Sequence, residues 1–106
     1  VAVDFPELVL IQCHSGRPFW YDKAFALARI HESVYMEISG LPPHMLLTYF
    51  PELERIADKV IYGYDWPGGA TIKETIQAVR SLTISQDSKR KILGANAARV
   101  LGIADG

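Results

Sequence analysis

The sequence has a single cysteine, Cys13, which removes an intramolecular disulfide framework from consideration and fits a reducing, cytoplasmic compartment. No charge of one sign dominates. Eleven basic and twelve acidic residues leave a formal charge of −1. There is no basic stripe for nucleic acid and no polybasic cluster for an anionic membrane. Long hydrophobic runs are missing too: stretches such as Leu8-Val9-Leu10-Ile11 are far too short to span a bilayer, and nothing resembles a signal peptide. Neither Gly-x-x-x-x-Gly-Lys nor Gly-x-Gly-x-x-Gly occurs, so nucleotide binding is disfavoured despite the Gly68-Gly69 pair. No Ser-His-Asp or Cys-His nucleophile arrangement can be assembled.

What remains is the composition of a folded globular protein. At 106 residues, 49% hydrophobic and 22% charged, the chain has the length of one domain or a piece of one. It opens on Val1, inside an apolar pattern, so a cropped or processed start is expected and residues 1–106 read as a single partial domain.

One arrangement recurs along the chain: a short apolar run, a polar stop, a loop, then a helical pattern. The first run spans residues 8–13 and stops at His14-Ser15-Gly16. Pro18 suits a first helical turn. Phe19, Ala24, Phe25, Leu27 and Ala28 then form a stripe with helical period through to His31. The second run spans 34–39 and stops at Gly40. Its helix begins near Pro42-Pro43, with Met45, Leu46, Tyr49, Phe50, Leu53 and Ile56 on one face. Pro51 inside that pattern predicts a kink or two short helices. The third run spans 60–64 and stops at Asp65-Trp66-Pro67-Gly68-Gly69, followed by a helix over 72–82. A last helix starts after Ser85, a suitable N-cap, and runs to about Leu101, where Gly102 takes the C-cap position.

Strands alternating with helices predict right-handed βαβ units and a parallel sheet, an α/β fold. The loops after the strands carry the His, Arg, Trp, Asp, Gly and Pro residues, and ligands of parallel α/β folds bind at that edge. Three units alone leave a problem. Strands this apolar need a second layer on the face opposite the helices, and their edges invite pairing. The simplest resolution is a slice of a closed (β/α)₈ TIM-type barrel, three βα units plus a C-terminal helix. The missing strands would come from an absent N-terminal barrel segment or from other copies in a homo-oligomer. A self-sufficient three-stranded domain is the alternative.

The segments Cys13-His14-Ser15-Gly16-Arg17-Pro18-Phe19-Trp20, 34–40, Ile61-Tyr62-Gly63-Tyr64-Asp65-Trp66-Pro67 and 92–101 resemble the amidohydrolase-2 family. That group of amidohydrolase-superfamily barrels contains hydrolases and non-oxidative decarboxylases. Each motif alone is modest, whereas four in order, spaced as strands six, seven and eight plus the closing helix, carry weight. The family often has Gly-Ser-Asp where this chain has Gly63-Tyr64-Asp65. A change there implies altered packing or pocket lining rather than lost chemistry.

The resemblance implies roles for two residues. Asp65 matches the aspartate that ligates a divalent metal, most often zinc, and takes a proton from the water that the metal activates. His14 matches the histidine used beside the metal as acid, base or charge stabiliser, a role that suits imidazole. Without the resemblance, Asp65 reads as a helix-capping or loop-ordering aspartate, and His14 as a strand-end histidine bonded to a backbone carbonyl. The family's His-x-His pair and its strand-five histidine are not in these residues. His31 and His44 read as surface groups at helix ends and do not replace them. One carboxylate and one histidine fall short of the ligands zinc requires, so tight metal binding by this chain alone is not expected.

Other residues are open to two readings. Arg17 can bind a substrate carboxylate bidentately, or be solvated or paired with Glu. Trp66 reads as pocket rim and Trp20 as core. Cys13 precedes His14, and strand neighbours point to opposite faces, so the two do not face one metal and Cys13 is expected to be buried against helices. Asn96 reads as a buried structural amide. The function implied is that of a fragment of a metal-dependent hydrolase or decarboxylase acting on a small carboxylated or cyclic molecule. The alternative is a non-catalytic barrel fragment that oligomerises through its open face.

Overall fold

The computed structural model of the chain describes residues 1–103, so the last three positions of the expected domain 1–106 lie outside the described residues. Three strands, β1 (Leu10–Gln12), β2 (Val34–Glu37) and β3 (Val60–Ile61), form one sheet in that order. Both pairings are parallel, with Leu10 opposite Val34 and Met36 opposite Val60. This is the expected parallel arrangement. Each β-branched or apolar position on the helix side alternates with a half-exposed one: Val34 and Met36 are buried, Tyr35 and Glu37 are not. The strands are shorter than the apolar runs. β1 stops because His14 and Ser15 turn into left-handed backbone, and β3 stops where the Tyr62 N–H leaves the sheet to bond the Ile92 carbonyl.

The helices pack on one face of the sheet. They are α1 (Tyr21–Ile30), α2 (Leu46–Tyr49), α3 (Ile72–Arg80), α4 (Gln86–Arg90) and α5 (Asn96–Leu101), with a π-helical turn, Lys91–Ala95, joining the last two. As Pro51 predicts, the second helical stretch breaks in two: α2 ends at Tyr49 and a 3₁₀ segment, Leu53–Lys59, follows. Ser85 caps α4 by accepting from the Ser88 N–H, and Gly102 closes α5 in left-handed conformation at φ 69°. Met36 and Val60 from the sheet meet Leu46, Phe50, Leu53 and Ile92 in one continuous core.

Three expectations fail. α1 begins at Tyr21, so Pro18 sits in the loop, and Phe19 and Trp20 are 83% and 62% exposed instead of joining the apolar stripe and the core. The left-handed turn at residues 14–16 delays the helix, and the first helical bonds start only at the Gly16 carbonyl. Cys13 is exposed instead of buried against helices. Gln12, the last residue of β1, takes the helix side, its Nε2 donating to the Ala24 carbonyl at 3.0 Å, and Cys13 opens the 3₁₀ turn beyond the strand, where it is left exposed. The sheet face without helices carries exposed Val9 and Ile11, continuing from exposed Val3, Phe5 and Leu8.

Polar ties join the layers. Lys59 donates to the Ala28 and His31 carbonyls at the end of α1 and lies over the Tyr35 ring. Burial pushes its ammonium below the ordinary lysine range, against the pull of Asp58 and Glu32. Glu54 accepts from the Ser85 N–H at 2.8 Å and the Ser88 hydroxyl at 2.7 Å, and these bonds hold its carboxyl below the usual value. A carboxyl with a depressed native value adds stability above its unfolded value and loses it as pH falls through the native one. Asp87, beside Arg90 and Lys91, acts in the same direction. Thermal melts are therefore expected to fall as pH drops through the carboxylate range, and Glu54→Gln is expected to flatten that slope.

Candidate active site at the carboxyl ends of the strands

His14 leaves β1 in left-handed backbone at φ 60°, and Ser15 follows at φ 44°. Each such residue costs about 1 kcal/mol without support. The support comes from β2. Glu37 Oε1 accepts from the His14 N–H at 3.2 Å, and the fully buried Ser15 hydroxyl donates to the Glu37 carbonyl at 2.8 Å. The premise that Cys13 and His14 alternate as strand neighbours does not hold, because both lie past the strand's end.

The imidazole is held by its Nδ1, 2.5 Å from the Ser39 carbonyl oxygen. A carbonyl only accepts, so Nδ1 carries the proton and Nε2 is the free nitrogen. Nε2 points to Asp65, 3.9 Å from its Oδ2. The strand-end carbonyl bond and the approach to Asp65 thus coexist in one ring. Gly40 makes the approach possible. Its φ is +76°, and an added Cβ would come within 2.6 Å of Arg17 Nη1 and 2.9 Å of His14 Nδ1.

Asp65 follows β3, and among the described residues its carboxylate accepts no hydrogen bond. The capping reading is set aside: Thr71 caps α3, its Oγ1 accepting from the Glu74 N–H at 3.1 Å. Asp65 and Arg17 line one cleft of 390 Å³, together with Tyr62, Tyr64 and Thr75. Arg17 spends one donor on the Gly40 carbonyl at 2.9 Å, leaving others for the cleft. Tyr64 lines the cleft too, its hydroxyl donating to the Ala70 carbonyl, in line with altered pocket lining at that position. Trp66 is 80% exposed and stands on the loop outside the cleft wall. His44 is exposed and His31 is half-buried behind α1; neither reaches the cleft.

Glu37 escaped the sequence reading, which took 34–39 only as strand. The available signal was a carboxylate on the helix-free side of an otherwise apolar strand, where a charge requires partners.

The donor set suits part of a metal centre. An uncommitted carboxylate faces an imidazole nitrogen whose opposite nitrogen is fixed on a carbonyl, the usual setting of a histidine beside a metal. Among the described residues, however, no three His, Cys, Asp or Glu side chains gather as a metal-binding group. No helix among them is long and apolar enough to cross a membrane.

No curated protein sequence matches the chain. Among solved structures, 5-carboxyvanillate decarboxylase LigW from Sphingomonas paucimobilis superimposes with a TM-score of 0.69 at 22% identity, over 97% of this chain and 36% of that one. The chain therefore spans about a third of that protein's length, and its sheet and helices are βα units of the (β/α)₈-barrel fold. The amidohydrolase family model matches residues 1–103, and the chain belongs to the amidohydrolase family.

Proposed function

We propose that these residues form one side of the active site of a metal-dependent hydrolase or non-oxidative decarboxylase acting on a small carboxylated molecule. The observation that carries this is the uncommitted Asp65 carboxylate, 3.9 Å from His14 Nε2, beside Arg17 over the cleft. Asp65 would hold the divalent metal, zinc on our reading. When bound, that metal supplies Lewis acidity and lowers the pKa of water. Asp65 takes a proton in hydrolysis. His14 accepts or returns a proton at Nε2, or stabilises developing charge there. Arg17 grips the substrate carboxylate with its remaining guanidinium donors. Metal ligands beyond these two would come from barrel strands supplied by further sequence or by a second copy, in the cytoplasm.

A second reading rests on the exposed apolar residues Val3, Phe5, Leu8, Val9 and Ile11: a non-catalytic barrel fragment that oligomerises through that face. One experiment separates the two. Manganese titrated into the isotope-labelled chain is expected to broaden the amide signals of residues 13–15 and 63–66, weakly, as two ligands allow. Asp65→Ala is expected to abolish the effect, while Asp65→Asn shifts stability by less than about 0.5 kcal/mol. Broadening that survives in Asp65→Ala, or falls elsewhere, would overturn the metal role of Asp65. A multimer by light scattering with no response to manganese would favour the second reading.

A further inference from the structure

We propose that Glu37 is a positioning residue: its carboxylate organises the loop ends of two strands so that the His14 imidazole presents Nε2 to Asp65. The inference rests on the reading of His14 as the acid–base group of the site. It names what gives that group its orientation.

The carboxylate accepts three hydrogen bonds, all from the two loops that make the site. Oε1 takes the His14 N–H at 3.2 Å and the Ser39 hydroxyl at 2.8 Å, and Oε2 takes the Ser39 N–H at 2.9 Å. The same residue's carbonyl takes the Ser15 hydroxyl at 2.8 Å. Glu37 therefore holds both left-handed residues, His14 and Ser15, that swing the imidazole off the strand direction. It also clamps Ser39 by both of that residue's donors. Ser39 in turn offers its carbonyl to His14 Nδ1 at 2.5 Å. The chain of contacts runs from Glu37 through Ser39 to Nδ1, and it fixes which nitrogen stays free.

With its oxygens occupied by these donors, Glu37 is committed to the loops and not to a ligand. Space is reserved for it. Gly63 on the neighbouring segment leaves room for Oε2, and an added Cβ there would collide with that oxygen. The collision matters because the carboxylate is held by three donors and cannot swing aside without releasing them. Two acceptor oxygens are also required. A glutamine has one acceptor oxygen, so no placement of its amide satisfies both the His14 N–H and the Ser39 N–H, which bond opposite oxygens.

The test reads the His14 ring by nitrogen NMR on the full chain. In the native protein the Nδ1 and Nε2 shifts are expected far apart, as a fixed Nδ1–H tautomer requires. Glu37→Gln and, independently, Gly63→Ala are expected to bring the two shifts together as the ring loses its preference for Nδ1–H. Gly63→Ala leaves the charge in place and decides the matter if the glutamine variant does not fold. Glu52→Gln, on the exposed Leu53–Lys59 approach, is the control and is expected to leave the ring unchanged. A native ring without tautomer preference, or a folded Gly63→Ala protein with an unchanged His14 tautomer, would overturn the proposal. Loss of manganese broadening at Asp65 is a separate result, bearing on the metal reading and not on this one.

Discussion

Phe50→Ala is expected to lower the melting temperature by about 20 °C, the largest effect of any single truncation in the core. Phe50 is 2% exposed and sits where α2 breaks before Pro51, packed against α1. Its ring meets Tyr21 edge-on, with centroids 5.5 Å apart, and stacks near Phe25 at 6.4 Å. Truncating a buried phenylalanine removes its transfer free energy and leaves a cavity, about 3–5 kcal/mol in total. Collapse around that cavity is opposed from two sides, since the Tyr21–Tyr49 stack at 4.5 Å pins the neighbouring rings. The Phe50 N–H also closes α2 on the Leu46 carbonyl, but that backbone bond survives the substitution, so the loss reports packing. Phe50→Leu, which keeps more of the volume, is expected to lose less than half as much. Equal losses for the two variants would mean that the ring contacts, not the volume, hold this corner.

Asn96→Asp is expected to cost about 3 kcal/mol at neutral pH, though it changes one atom in size hardly at all. Asn96 is fully buried, and its Nδ2 donates to the Ala57 and Val60 carbonyls at 2.6 and 2.8 Å. Its Oδ1 accepts from Arg99, which fixes the amide's orientation. An aspartate loses both donors, takes the amide bond from the Val60 carbonyl and from the Ala57 carbonyl, which keeps only the Val60 N–H, and sets a negative charge against them. The damage lies at the junction of α5 with β3, the strand that carries Asp65 to the cleft. Denaturant unfolding measures the cost directly. A melt that recovers on acidification would show that the ionised carboxylate is the costly form, because protonation removes the charge and restores one donor. A change below about 0.5 kcal/mol, the range of ordinary surface substitutions, would show that the junction relaxes around the lost bonds.

The candidate site was legible to different depths. Asp65 and His14 stand at loop positions after apolar runs, and a reader of those runs places both at one edge of a parallel sheet. Asn96 was legible as a buried amide because a polar residue inside an apolar helical face must find partners. Glu37 was not, since nothing within residues 34–39 states that its partners lie at His14, 23 positions earlier. Cys13 was misplaced for a related reason. β1 stops at Gln12, so Cys13 lies in the turn beyond the strand and not in the strand itself. Trp20 was misplaced because the helix start was set by the backbone twist at residues 14–16, and propensity does not register that twist.

Local pattern determined the alternation of strands and helices, the break at Pro51 and the caps at Ser85 and Gly102, because each depends on residues within a turn or two of one another. The tertiary structure alone decided which faces of those elements met, which nitrogen of His14 is free, and that among the described residues the Asp65 carboxylate is left without a hydrogen bond while Thr71 caps the helix beyond it. These are outcomes of contacts between distant segments. They depend on angles and distances that only the packed sheet and its helices bring into being.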